Sequence, residues 1–372
     1  MRTLDASGRY FSALTGLRAV AAYLVYAHHA KPHVPFATSF FDALSREGHM
    51  GVSLFFVLSG FLIALRYSQS FKEKEPSGWR LYFLHRVARI YPVYLICTII
   101  ALVFRQDFRP GSWLVNLFLA QGLFPQYSFT GIGVGWSMTV EVCFYAAAPW
   151  VLLYWQKLGL FRWFLMTLLA GGGLLLMGQM PLSFPVVPDW NFLLRSTFFG
   201  RCFEFYIGIW CAKRYLLSPA QPFVLSRRAT GVFTYVGVFG VLTIMLLIAP
   251  ALALLPDLPP LKALSFHIIN NFLLPVFIGS LVTGLALEKT ALARLLGSRI
   301  GEALGKGSYI FYLAHYTFGF DVLYFHVWQN KGGVLLLLAL ASVAGYYVLE
   351  APLHKKALKM FSPRSFVETK SL

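Results

Sequence analysis

The chain alternates between long apolar runs and short polar, mostly basic segments. Taken as helices, the runs predict spans over approximately 12–30, 49–67, 84–104, 136–156, 163–179, 192–212, 230–251, 266–287, 308–326 and 333–350. Each approaches the roughly 20 apolar residues that a helix needs to cross a bilayer. A further apolar stretch, Trp113 to Leu123, has only about eleven residues and falls short of that length. The pattern predicts an all-α, polytopic membrane protein with about ten transmembrane helices.

Composition supports that class, because 58% hydrophobic and 13% charged residues cannot cover the surface of a soluble domain. The net charge of +17 raises the question of a nucleic-acid partner. The basic residues collect in short loops between apolar runs, which excludes that partner and points instead to topology. If 113–123 does not cross, one set of loops carries Lys72, Lys74, Arg80, Lys157, Arg162, Lys213, Arg214, Arg227, Arg228, Lys289, Arg294, Arg299 and Lys306, together with both terminal segments. The opposite set carries only Lys31, Arg46, Arg105, Arg109, Lys262 and Lys331. This is the positive-inside pattern, and it puts both termini in the cytoplasm. Letting 113–123 cross would invert every later loop, so that stretch is expected to be external or re-entrant.

No cleavable signal is expected, since Arg18 interrupts the first apolar run; the first helix then serves as an uncleaved anchor. The organisation is one membrane domain over 1–350 and a basic cytoplasmic tail over 351–372, near anionic lipid. The four cysteines, Cys97, Cys143, Cys202 and Cys211, lie within apolar runs without metal-ligand spacing, so neither a metal nor a disulfide is expected.

Polar residues inside the spans carry the candidate chemistry. In the first span, LTGLRAVAAYLVYAHHA, Arg18 and His29 lie eleven residues apart. That is about three helical turns, on one face and roughly 16 Å apart, with His28 about a quarter-turn away. The bland alternative is an arginine that snorkels to the headgroups and an interfacial histidine. Arg86 and Arg89 open the third span at i, i+3 spacing, at the same cytoplasmic level as Arg18. Three guanidinium groups there suit phosphate, though ordinary positive-inside flanking also explains the pair. Glu141, in GWSMTVEVCFY, falls near the outer end of the fourth span at the depth of His29, with Ser137 one turn back. Its alternative is a structural salt link. Trp136, Ser137, Tyr312 and His315 are candidate cavity-lining groups, His315 being equally a satisfied core histidine. Arg201 and Glu204, at i, i+3, can simply neutralise each other.

Several motifs in order resemble the acyltransferase-3 family of bacterial integral-membrane acyltransferases. They are LTGLRAVAAYLVYAHHA, GHMGVSLFFVLSGFLI, the Arg86–Arg89 pair before Ile90-Tyr91-Pro92, WSMTVE before Phe144-Tyr145, GKGSYIFYLAH and LEAP at 349–352. The resemblance implies transfer of an acyl group, usually acetyl, from acyl-CoA to a hydroxyl of a surface carbohydrate or glycolipid, at the bacterial inner membrane. Acyl-CoA is then a donor substrate, and no permanently bound cofactor is implied. The family's essential histidine falls on His29, its arginine on Arg18, its arginine pair on Arg86 and Arg89, and its glutamate on Glu141. Ser53, where relatives often carry an acidic residue or Asn, and Ala351, where they often carry Arg, depart from the pattern and bear on the acceptor. Some relatives carry an extracytoplasmic hydrolase-like domain after the membrane part, which is not expected here. The implied layout has CoA phosphates on the cytoplasmic arginines and the thioester near His29, with His29 as general base and Glu141 orienting it. The non-enzymatic alternative is a transporter whose buried charges line a path, for which the expected internal repeat is missing.

Overall fold

The computed structural model describes residues 10–31, 39–72, 76–178, 180, 187–216 and 231–361. The first nine residues and the loop around Arg227 and Arg228 lie outside the described residues, and the expected basic tail is described only as far as Phe361, where Lys355, Lys356 and Lys359 stand on a helix. Among the described residues every regular element is helical, as the apolar pattern predicts. The helices are α1 (Ser12–Ala30), α2 (Ser39–Arg46), α3 (Gly51–Lys72), α4 (Pro76–Phe104), α5 (Pro110–Leu117), α6 (Gly135–Gly178), α7 (Trp190–Ser196), α8 (Phe198–Leu216), α9 (Val232–Ala253), α10 (Pro259–Ile268), α11 (Leu274–Leu287), α12 (Ala291–Leu296), α13 (Arg299–Ala314), α14 (Phe318–His326), α15 (Lys331–Gly345) and α16 (Ala351–Phe361). One-turn π segments join α10 to α11 and α15 to α16.

Six helical stretches are long and apolar enough to cross a membrane: Gly48–Phe71, Gly78–Phe104, Gly135–Gly178, Val232–Ala253, Pro259–Leu287 and Lys331–Met360. Their outward faces carry large apolar side chains such as Phe161, Leu176, Phe239 and Val348, which water would disfavour and hydrocarbon accepts. The protein is a multi-pass integral membrane protein.

The other expected spans differ from simple rods. Two of them, 136–156 and 163–179, fall in one 44-residue helix, α6, about 66 Å long if straight and over twice the hydrocarbon thickness. Gly159, at φ 74°, divides it, so the expected loop of six residues is a single glycine in a conformation L side chains rarely adopt. The expected span 192–212 is interrupted at Thr197, and 308–326 is interrupted at His315–Thr317. At the first break the amide of Asn271 donates to the carbonyls of Leu194 and Gly200. Backbone polar groups exposed by the break are thereby satisfied inside the protein, the condition for irregular backbone in a membrane. The stretch 113–123 forms no crossing: α5 has eight residues and folds back on α4, where Tyr94 donates to the carbonyl of Asn116.

Close backbone contact builds the centre. A Cβ at Gly60 would strike the carbonyl of Phe205, and one at Gly208 the carbonyl of Val57, so α3 and α8 meet backbone to backbone. Gly16 and Gly305 permit the same approach of α1 to the region of α12 and α13. Beside these contacts Phe144, Phe205 and Phe56 stack in sequence, at 4.2 and 4.6 Å between centroids, fixing α6, α8 and α3 together.

Candidate active site

The packing leaves a cavity between α1, α3, α4, α6 and α13, of about 910 Å³ including its mouth. Along α3 its lining runs from Val52 to Arg66, which corresponds to roughly 20 Å of helix. On α6 the lining residues Ser137, Glu141 and Tyr145 follow one another at i, i+4 and i+8, one continuous face. Arg18 enters from α1, Arg66 from α3, Arg86 and Arg89 from α4, and Ser308, Tyr309 and Tyr312 from α13. The elongation matters, because one space can hold a charged group at one end and a reacting group at the other.

Four guanidinium groups face this space against one carboxylate, that of Glu141. Among the described residues Arg18, Arg66 and Arg89 make no hydrogen bond or ion pair with the protein. Arg86 is held by aromatic faces, 5.5 Å from the Tyr67 ring centroid, 5.6 Å from Tyr145 and 5.9 Å from Tyr82. Its Nη2 reaches the Tyr67 hydroxyl at 3.5 Å, and its buried Nε has no partner. Glu141 accepts from the hydroxyl of Ser59 at 2.7 Å and from the hydroxyl of Tyr145. No cation lies within ion-pair distance of it among the described residues, so the salt-link alternative is not what the geometry shows. Unpaired guanidinium forks around a partly open space are suited to bind phosphate or carboxylate oxygens bidentately.

The other end of the cavity closes on a hydroxyl pair, Ser137 and Tyr312, 2.7 Å apart. Ser137 donates to the carbonyl of Val134, so the Tyr312 hydroxyl is the donor to Ser137. Beyond Tyr312 the helix breaks at His315, whose Nδ1 lies 2.8 Å from the Tyr312 carbonyl. The Nε2 of His315 lies 3.0 Å from Nδ1 of His29, and the His29 ring stacks on Tyr316 at 4.0 Å. His28, the neighbouring imidazole, points away and donates to the carbonyl of Arg46 at 2.7 Å. No group of three or more His, Cys, Asp or Glu among the described residues is placed to hold a metal ion.

The structure thus brings Arg18, Arg86, Arg89, Glu141, Ser137 and Tyr312 to one cavity. His29 and His315 form a pair just past its end and do not line it, and Trp136 packs against the core instead. Glu141 sits with the arginines and not beside His29; the side chain that touches His29 is His315. Residue counting gives depth along a single helix, whereas this cavity crosses several helices and joins different depths. Arg86 and Arg89 lie well inside α4, which begins ten residues before Arg86. Arg66, Ser59 and Tyr145 were absent from the sequence-derived set. A signal for Arg66 existed: an arginine at the end of GFLIALRYS, seven residues after Ser59 on a helix. Arg201 and Glu204 form a buried bidentate pair at 2.8 and 2.7 Å, with Ser53 accepting a further bond from Arg201 at 3.1 Å.

Comparison with known proteins gives the family. The chain is 29% identical, over 89% of its own length and 87% of the other's, to a protein named acyltransferase MdmB from Streptomyces mycarofaciens. It is 24% identical to the peptidoglycan O-acetyltransferase OatA of Listeria monocytogenes, over 67% of this chain and 41% of that one. No solved structure matches the chain. The sequence model of the acyltransferase domain family covers residues 11–351, including every cavity-forming helix, and the chain belongs to this family of acyltransferases.

Proposed function

We propose that the protein is a membrane O-acyltransferase that moves an acyl group, acetyl in the simplest case, from cytoplasmic acyl-CoA to a hydroxyl of an extracytoplasmic carbohydrate. The single observation that carries this reading is the elongated cavity in which, among the described residues, Arg18, Arg66 and Arg89 make no hydrogen bond or ion pair. A CoA nucleotide offers several phosphates to those forks, and its long pantetheine arm suits the 20 Å run along α3. In this reading the arginine mouth faces the cytoplasm, the chain has ten spans with both termini cytoplasmic, and the membrane is the bacterial inner one. The basic loops support that orientation. The acceptor is a carbohydrate or glycolipid, by analogy with the peptidoglycan named for the relative from Listeria.

The chemistry assigned to this chain is direct transfer. Nε2 of His29 takes the proton of the acceptor hydroxyl as its oxygen bonds to the thioester carbonyl carbon. The tetrahedral intermediate then expels the CoA thiolate, which recovers the proton from His29. Glu141 belongs to the donor end, where it fixes the hydroxyls of Ser59 and Tyr145 and offsets part of the guanidinium charge. The test is mass spectrometry of surface glycans from a strain lacking the protein, complemented with wild type or with His29→Ala at equal expression. Wild type restores acyl groups, and His29→Ala reduces transfer by roughly 10²–10⁴-fold, the scale of general-base catalysis. Full restoration by His29→Ala overturns the base assignment.

A further inference from the structure

His29 is the only imidazole of its helix turn that bonds to another side chain, and that partner's own bond has a defined direction. The Tyr312 carbonyl can only accept, so Nδ1 of His315 carries a proton. His315 is 1% exposed, and no acidic side chain stands within ion-pair distance of it among the described residues. An unpaired charge there would be costly, so the ring is neutral and its Nε2 is a bare acceptor. The bond at 3.0 Å is then donated by Nδ1–H of His29, which leaves Nε2 of His29 without a proton.

From this chain of hydrogen bonds we infer that His315 is the positioning residue of the active site, holding His29 in the tautomer whose Nε2 accepts the acceptor hydroxyl proton. It does for His29 what a carboxylate does in a serine-hydrolase triad, with a backbone carbonyl as the final anchor. The break between α13 and α14 is what makes this possible. It places His315 at the end of α13, where its ring stacks parallel to Phe311 at 6.0 Å and its Nδ1 turns back to the carbonyl one turn earlier. Stacking of His29 on Tyr316 fixes the second ring plane. When His29 becomes an imidazolium in the transition state, its Nδ1–H bond to His315 strengthens, so the pair stabilises the developing charge as well as the tautomer. The same Tyr312 closes the donor cavity with its hydroxyl and anchors His315 with its carbonyl, coupling the end of the cavity to the base.

The inference rests on His29 being the base, and the experiment separates the two. Inverted membrane vesicles from strains producing each variant at equal level receive radiolabelled acetyl-CoA, and incorporation into their own acceptor is followed over a range of donor concentrations. His315→Ala and His315→Phe are expected to lower kcat by roughly 10²–10⁴-fold with the KM for acetyl-CoA within about threefold, as loss of the orienting partner does in a triad. His315→Gln, whose amide both accepts from His29 and donates to the Tyr312 carbonyl, is expected to recover at least a tenth of wild-type kcat. Ring-carbon shifts of labelled His29 report the Nδ1–H tautomer in wild type and a mixture in His315→Ala. Unchanged kcat in His315→Ala alongside a dead His29→Ala overturns the positioning role and leaves the base intact. Activity in His29→Ala overturns the base itself. Loss of activity in all three His315 variants with wild-type tautomer retained in each also overturns the positioning role.

Discussion

Two buried arginine environments in this molecule look alike in sequence and differ in what surrounds the guanidinium. Arg201 lies inside α8, and both forks of its guanidinium are used: two bonds go to Glu204 and one to Ser53, with the Phe56 ring 5.5 Å away. Glu204 is fully buried, and neither member of the pair lines the cavity. Around the cavity, by contrast, Arg18, Arg66 and Arg89 face open space and, among the described residues, make no hydrogen bond or ion pair, Arg66 resting only over the Tyr67 ring at 5.6 Å. The charge alone therefore does not mark a site; an unsatisfied donor beside an accessible volume does. The first arrangement is a structural tie, and the second is a set of hydrogen-bond donors waiting for an anion.

That contrast can be broken by mutation. The largest effect on the folded protein is expected from Arg201→Ala, which strands the carboxylate of Glu204 in a dry interior at a cost of about 3–5 kcal/mol. Thermal unfolding in detergent reads it, and acetyl-CoA affinity of the surviving folded fraction should be near wild type. The double variant Arg201→Met/Glu204→Leu, which removes both charges together, should recover most of that stability. A double variant as unstable as Arg201→Ala would show that the pair does more than neutralise itself.

A smaller effect, on a different observable, is expected from the cavity arginines. Arg89→Ala removes a charge-assisted bond worth about 1.5–3 kcal/mol, so acetyl-CoA binding should weaken by roughly 10- to 150-fold. Its unfolding temperature should fall less than that of Arg201→Ala, because no hydrogen-bonded carboxylate is left stranded, although buried Glu350 shares a second pocket with Arg89. Arg66→Ala should behave in the same way, which sharpens the comparison because the chain pattern did not single this residue out. Unchanged affinity in both would remove the phosphate role from this end of the cavity.

The smallest effect belongs to an arginine pair outside the spans. Hydrogen bonds from Arg109 hold the Asp107 carboxyl well below the usual carboxylate range, with Ser112 adding to them. A lowered folded-state value adds stability above the unfolded value of about 4, and that contribution is lost as pH falls toward the folded one. Asp107→Asn should therefore be slightly less stable than wild type at neutral pH, and the gap should begin to narrow below about pH 4 and close only as pH nears the folded-state value. A gap that persists in acid would assign the loss to something other than the charge.

Much of the fold was legible because lipid imposes a simple code: apolar runs of membrane length are helices, and the runs were read correctly as such. Their interruptions were less legible. Thr197 and His315 break helices in the middle of apolar runs, and no polar segment announces them; Gly159, by contrast, falls between Lys157 and Arg162, where the pattern already reads as a loop. Tertiary partners decide such breaks, as Asn271 does for the carbonyls beside Thr197. The candidate site was legible as residue types, since charged groups inside apolar runs stand out. Their grouping was not: Glu141 and His29 share a calculated depth, yet Glu141 bonds to Ser59 and Tyr145 while His29 bonds to His315.

The sequence by itself determined the membrane class, the family and the arginines, glutamate and histidines worth watching, because those follow from hydropathy and from residue chemistry at fixed spacing. Only the tertiary structure decided which of them face a common space, that Arg66 joins them, that Arg201 is satisfied and silent, and that His315 is the partner of His29. The physical reason is that spacing along one helix fixes a residue's face and depth on that helix alone. Whether a donor is paired, and with what, depends on the neighbouring helices that packing brings against it.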